Sequence, residues 1–396
     1  MMDINKLLIF LSLLVVVSYL FEIISARLRL PTVLFMLGGG IALRYFSDAY
    51  SLTEIPVQKF LPFVGTLGLI LIVLDGALEL KLSNDDWPRL RRILLTSSAI
   101  TLSSILLFTI GFMNFFQVDF TKAFINSIPF SIISSAIAIP AANRFRLKVR
   151  DFTVYDSTLA DIIGILLINA ALIPDFPNIF TGVHIVWETI KIITVSIILC
   201  FFLLYLMEYI TTRIKFFMII SILTLAYGIA KELHLSALVL ILFFGLFINN
   251  AELFIPKQLE GVFKIERLDK QLELLKSLLA ETSFVLRTLF FVMFGYSIHI
   301  ENMMDLEVWK MGSIIMIIVY SLRFGFIYFL NKEVLFPTVF IAPRGLINIL
   351  LFLGIAPIHK IYGLNDNVLL AVIGISASSL LLTNYGEKKL HNSIQT

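Results

Sequence analysis

Runs of about 20 apolar residues, the length that crosses a bilayer core, recur along this chain with short polar connections between them. Thirteen are expected to be transmembrane helices: Leu7–Ile24, Pro31–Tyr45, Leu61–Leu80, Ile93–Phe116, Lys122–Asn143, Val154–Ile173, Trp187–Met207, Ile214–Ala230, Leu235–Asn249, Leu278–Ile300, Met311–Leu330, Val334–Ile355 and Val368–Tyr385. Composition agrees with that pattern. Of 396 residues, 59% are hydrophobic and 15% charged, and mean hydropathy is +0.94. A soluble domain carries about 25% charged residues. Too little polar surface remains to coat a globule in water, so the expected fold class is an all-α polytopic membrane protein, a single transmembrane unit over 1–396 with no soluble domain. Leu7–Ile24 runs into Arg27 and Arg29 without a small-residue cleavage site, which makes it a first span rather than a signal peptide. Cys200 is the sole cysteine, which excludes a disulfide scaffold. A dispersed net charge of +3 does not make a nucleic-acid surface.

The longest polar connection, 250–277, repeats Leu and Ile among Lys and Glu, the pattern of an amphipathic helix lying in the membrane interface. Basic residues set the orientation. With the N-terminus outside, 20 Lys and Arg fall in inside loops and the tail, among them Arg144, Arg146, Lys148, Lys388 and Lys389; 8 fall outside and 3 within spans. The positive-inside rule therefore predicts an outside N-terminus and a cytoplasmic C-terminus.

Charge within the spans carries the functional signal, because each such group costs about 2.5–3.5 kcal/mol at mid-bilayer. Glu22, Asp75, Asp156, Asp161, Glu281, Arg287, Arg323 and Arg344 are the candidates. Structural salt bridges between helices could absorb some of them, but with five acids and three bases at least two acids lack a basic partner. The sixth span, Tyr155-Asp156-Ser157-Thr158-Leu159-Ala160-Asp161, puts Ser157 and Asp161 four apart on one helix face. Asp156 is five from Asp161, so it points away and needs a different partner. An unpaired carboxylate in a low-dielectric site exchanges protons near neutral pH and offers hard oxygen to an alkali cation. A group that holds a proton or a cation, but not both, is the minimum machinery of an antiporter.

Two spans carry potential interruptions. The fifth reads Ile133-Ser134-Ser135-Ala136-Ile137-Ala138-Ile139-Pro140 and the twelfth Ile341-Ala342-Pro343-Arg344-Gly345. Pro removes a backbone donor and Gly loosens the helix, so both are expected to break in the membrane, as helices that frame ion sites do. A kinked but continuous helix is the alternative, especially for the fifth span. Gly38-Gly39-Gly40 lacks the strand and Lys-Ser/Thr of a phosphate loop and suits close helix packing. His184, His234, His299, His359 and His391 lie at span ends or in loops, not at metal-ligand spacings. No hydrolytic triad is evident. The protein is expected to be no enzyme and to need no cofactor.

These residues resemble the monovalent cation:proton antiporters, nearest the sodium/proton exchanger branch. Leu71-Ile72-Val73-Leu74-Asp75-Gly76-Ala77-Leu78-Glu79-Leu80 is similar to the family's acidic, glycine-rich stretch, and Asp156-Ser157-Thr158-Leu159-Ala160-Asp161 to its glutamate-serine…asparagine-aspartate motif. Arg287 to Gly295 resembles its apolar run ending in glycine, Arg323 an arginine one span later, and Pro343-Arg344-Gly345 its arginine-glycine break. The resemblance implies about thirteen helices, two inverted repeats and crossed broken helices at spans five and twelve. It also implies a homodimer with core and dimerisation subdomains, alternating access, and exchange of Na+, K+ or Li+ for H+. By position, Asp161 is the implied carrier of cation and proton, Ser157 a neighbouring oxygen ligand and Asp75 a water-linked acid. Asp156 is the implied ion-pair partner of Arg323.

Two departures bear on the ion. Ser134-Ser135 replace the family's threonine-aspartate, and Ala160 replaces an asparagine or aspartate. One titrating carboxylate favours one-for-one, electroneutral exchange, since an arginine does not deprotonate. The expected role is pH homeostasis as a cation antiporter of a bacterial plasma membrane, with sodium or potassium as the ion. A gated potassium efflux channel, or a non-transporting sensor on the same scaffold, are the rivals.

Overall fold

The computed structural model describes residues 4–28, 30–50, 57–80, 87–171, 181–209, 215–232, 237–254, 265–298 and 305–383. All regular structure among them is helical: α1 (Ile4–Leu28), α2 (Thr32–Ala49), α3 (Val57–Glu79), α4 (Trp87–Phe116), α5 (Phe120–Ser131), α6 (Ser135–Ala142), α7 (Leu147–Ala171), α8 (Thr181–Tyr209), α9 (Lys215–Glu232), α10 (Ala237–Asn249), α11 (Ala251–Phe254), α12 (Ile265–Tyr296), α13 (Leu306–Leu330), α14 (Leu335–Thr338), α15 (Leu346–Leu353) and α16 (Asp366–Ser378). Each expected span corresponds to one helix, or to a broken pair (α5/α6 for the fifth, α14/α15 for the twelfth). Among the described residues, six stretches are long and apolar enough to cross a membrane. Lys388, Lys389, His234, His299 and His391, and one end each of the sixth, eighth, ninth, tenth and thirteenth spans, lie outside the described residues.

The helices are built inside-out relative to a soluble bundle. On α4, Leu95, Leu102, Leu106 and Ile110 point outward, while Thr96, Ser97, Thr101, Ser104 and Thr109 are buried. Ser104 and Thr109 donate to the carbonyls of Ile100 and Ile105 one turn back, which satisfies each hydroxyl where water is absent. Apolar groups gain nothing by leaving lipid, so the packed face of α4 admits these hydroxyls beside Ile93, Ile100, Ile105 and Phe108.

Contacts between connections fix which ends lie together. At one end Lys148 pairs with Glu333 at 2.7 Å, Arg89 with Asp151 at 3.0 Å, and Asn249 and Asn250 both donate to the Leu80 carbonyl at 2.9 Å. Arg144 joins that end to Thr383 at 2.9 Å. At the other end Asn126 donates to the His359 carbonyl at 2.7 Å, and Gly363 lies against Phe116. The third, fifth, ninth and eleventh connections thus share one end, and the fourth and twelfth the other, as thirteen crossings require.

The second half repeats the first seven spans later. The second span packs on the tenth (α2 on α12) as the ninth packs on the third (α10 on α3), and α4 packs on α7 as α13 packs on α16. Seven is odd, so equivalent helices run in opposite directions and the repeat is inverted. Small residues seat both equivalent contacts. A Cβ on Gly40 would lie 2.2 Å from the Val292 carbonyl oxygen, one on Gly295 2.4 Å from the Leu37 carbonyl oxygen, and one on Gly245 2.6 Å from the Ala77 Cβ. Gly38 has nothing within 4 Å and a Cβ on Gly39 would meet the Phe21 ring at 3.2 Å, so of the three consecutive glycines only Gly40 is pressed against backbone.

Within the polar connection 250–277, residues 251–254 form α11, 255–264 are not described, and 265–277 are the first turns of α12. Leu272, Leu275 and Leu279 are buried at helical spacing, so the described part of the amphipathic stripe faces protein.

Candidate functional site

The site is organised by the two broken helices, which meet at their interruptions. The backbone N–H of Ser134 donates to the Pro343 carbonyl at 2.9 Å. A helix end in the membrane needs partners for its last carbonyls. For α5 two side chains from the twelfth span provide them. Arg344 donates through Nη2 to Phe130 at 2.9 Å and Ser131 at 3.2 Å, and through Nε to Phe130 at 3.2 Å. Asn348 Nδ2 donates to Pro129 at 2.8 Å and Ile132 at 2.9 Å, and its Oδ1 accepts the Gly345 N–H at 2.7 Å. Arg344 has no carboxylate within ion-pair distance among the described residues; its charge sits on the negative end of the α5 dipole.

The fifth-span break differs from the simplest expectation. It falls at 132–134, while Pro140 sits inside α6. Pro140 cannot donate to the Ala136 carbonyl one turn back, and Arg287 Nη1 supplies that bond at 2.6 Å. A half-buried arginine thus takes the place of the N–H that the proline lacks.

Asp161 lies on α7 against the first turn of α6, 5% exposed. Ser135 Oγ donates to its Oδ2 at 2.6 Å, whereas Oδ1 is buried without a hydrogen-bond partner. No Lys, Arg or His forms an ion pair with it among the described residues. The α6 N-terminus, positive by its dipole, begins at Ser135. Ala160 beside it is fully buried. Ser157 spends its proton on the Thr153 carbonyl at 2.8 Å. Ser134 faces the other way: its Oγ lies where a Gly345 side chain would begin and has no partner. Asp75 is half-buried, next to Gly76, which lies against Ser135 and Thr158.

Asp156 points to the opposite side of α7. Arg323 Nη1 on α13 donates to its Oδ2 at 2.8 Å, with both side chains almost wholly buried. Arg323 Nη2 also donates to the Thr338 carbonyl at 3.0 Å, tying α14 to the pair. Glu281 accepts from the Tyr19 hydroxyl at 2.9 Å on the outer face, away from the rest. A cavity of about 580 Å³ opens at the end that carries the Arg144 connection, lined by Glu22, Thr32, Met36, Ile137 and Arg287, and reaches Ala136, next in the chain to Ser135. Among the described residues no cluster of His, Cys, Asp and Glu is arranged to hold a metal.

Sequence reasoning did not single out Asn348 or Thr158. An asparagine inside Leu346-Ile347-Asn348-Ile349-Leu350 was the signal for the first, since a buried amide has four hydrogen-bonding positions to satisfy.

Residues 11–389 match the family model described as "Sodium/hydrogen exchanger, transmembrane". The chain belongs to that family. No curated protein matches the sequence. Among solved structures, that of the sodium proton antiporter MjNhaP1 from Methanocaldococcus jannaschii at pH 8 is similar, with 18% identity, a TM-score of 0.70, and 97% of this chain covered against 99% of that one. A second structure of the same antiporter, from an electron-microscopy map, gives 15% identity and a TM-score of 0.71, with 96% of each chain covered. At such identities the likeness is one of fold. Family and fold make the chain a multi-pass membrane exchanger of the sodium/proton class, not an enzyme.

Proposed function

We propose that the protein is a secondary active antiporter in which a monovalent cation and protons take turns on Asp161. The observation that carries this is a buried carboxylate with one oxygen held only by Ser135 and the other free. The Ser135 hydroxyl and the α6 N-terminus can support the ionised carboxylate and the apolar surroundings the protonated one, so the same group can hold a cation or a proton in turn. Arg323 keeps its charge throughout and Asp156 stays with it, which leaves a single exchanging group and supports electroneutral one-for-one exchange. The cavity ending beside Ser135 is the access route from the end with the basic connections. By the positive-inside rule that end is cytoplasmic and the N-terminus lies outside, in a plasma membrane. Both broken helices move with α7 as the core of a rocking unit, against a homodimer scaffold built on α1–α3 and α8–α12. Asp75 assists as a half-buried acid, and sodium, potassium or lithium is the partner ion in pH homeostasis.

Asp161→Asn tests this. In proteoliposomes it abolishes cation-driven proton movement while the purified protein stays folded; exchange at the wild-type rate would remove Asp161 from the mechanism. Transport that generates a membrane potential by itself would refute electroneutrality, and current without proton movement would make the protein a channel.

A further inference from the structure

Among the described residues, two buried side-chain oxygens on this face of α7 lack any partner, Asp161 Oδ1 and Thr158 Oγ1. Thr158 stands out from its neighbours. On α7, Thr153 and Ser157 each donate to a carbonyl one turn back, at 2.8 Å, the default for a hydroxyl in an apolar helix. Thr158 is equally buried, 2% exposed, yet makes no such bond. Its hydroxyl leaves the carbonyls of its own helix unused, and a polar atom left so in a native interior calls for an ion or water at that point.

The surroundings say which. Thr158 precedes Asp161 by three residues, so both lie on one face of α7. Across from them, the point that a Gly76 Cβ would occupy is 3.5 Å from Ser135 Oγ and 4.0 Å from Thr158 Oγ1, and Ser135 Oγ itself bonds Asp161 Oδ2. Two hydroxyl oxygens therefore border the space left by the missing side chain of Gly76, and one of them is bonded to the Asp161 carboxylate. We propose that Thr158 is a ligand of the transported alkali cation, completing with Ser135 and Asp161 an oxygen set over Gly76 that replaces part of the ion's hydration shell. This rests on Asp161 being the carrier.

The test uses the full chain in proteoliposomes, with lithium, sodium and potassium chlorides as probes at a fixed alkaline pH. Thr158→Val keeps the shape and removes the oxygen; one lost ligand raises the half-saturating cation concentration about tenfold. Thr158→Ser returns it to within about twofold of wild type, because the hydroxyl is back. Gly76→Ala meets only ordinary contacts, so it folds, and its methyl group weakens cation binding by filling the ion's space. Protection of the detergent-solubilised protein against heat by the same salts gives a readout independent of transport. Thr158→Val with wild-type cation dependence, while Asp161→Asn is inactive, would overturn the ligand and leave the carrier standing. Loss of affinity in Thr158→Ser equal to that in Thr158→Val would mean a packing role and also overturn it. Exchange by Asp161→Asn would overturn the carrier itself.

Discussion

Removing one member of the Asp156–Arg323 pair leaves an uncompensated charge where neither water nor another ion can reach it. Arg323 is 0% exposed and Asp156 1%, and the nearest alternative partners are neutral: the Thr338 carbonyl for the guanidinium, and nothing for Asp156 Oδ1. Breaking a buried pair of this kind costs about 3–5 kcal/mol. Arg323→Met should show that loss directly. Asp156→Asn should lose somewhat less, since its amide oxygen can still accept from Nη1, but the positive charge then stands alone. The double variant removes both charges, and its cost should not exceed that of the worse single one. Equilibrium unfolding of the purified protein in mixed detergent micelles measures all four species. Additivity within about 0.5 kcal/mol would refute the pairing. Because the pair lies on the far side of α7 from Asp161, the half-saturating cation concentration of folded variants should stay near wild type.

Three further outcomes follow from packing and charge. Gly40→Ala drives a methyl group into the α12 backbone and should cost about 1–3 kcal/mol by overpacking, whereas Gly38→Ala, with open space around its Cβ, should be neutral or stabilise by up to about 1 kcal/mol through helix propensity; thermal unfolding of the two compares them. Arg344→Met strips the Phe130, Ser131 and Ala342 carbonyls of their donors and should destabilise by about 3 kcal/mol or more, with Arg344→Lys recovering little because an ammonium lacks the guanidinium fork. Lys148 holds the Glu333 carboxyl below the ordinary glutamate range, so the small stability of this exposed pair is fully present above that range and lost as pH falls through the lowered value. The stability difference between wild type and Lys148→Met should therefore vanish on acidification.

Much of the architecture was legible in the chain because a bilayer forces it. Apolar runs had to be spans, and the basic residues alternate with a parity that the Lys148–Glu333 and Asn126–His359 contacts share. The breaks at Ser134 and Pro343 could be anticipated, but not what holds them. Proline rules pointed at Pro140, and no local rule says that Arg287, about 150 residues away, supplies the donor Pro140 lacks. Likewise Arg344 was visible as a buried charge, while its use as a cap for α5 depends on the crossing of two distant helices. Residues 265–277 read as interfacial because their stripe is amphipathic; in its described part Leu272 and Leu275 are buried and Leu274 is exposed. At the site, Asp161 stood out by its charge in an apolar span. Thr158 did not, since a threonine there is ordinary until its hydroxyl is seen to be unpartnered.

The most direct measurement concerns protons leaving as ions arrive. In a weakly buffered detergent solution at a pH where the free site is protonated, adding sodium or potassium chloride to the purified protein should release one proton for each cation bound, and in that range the apparent cation affinity should fall tenfold for each pH unit of further acidification, as competition of two ligands for one group demands. Asp161→Asn should release none. Cation binding without proton release in the wild type, or undiminished release in Asp161→Asn, would contradict the account.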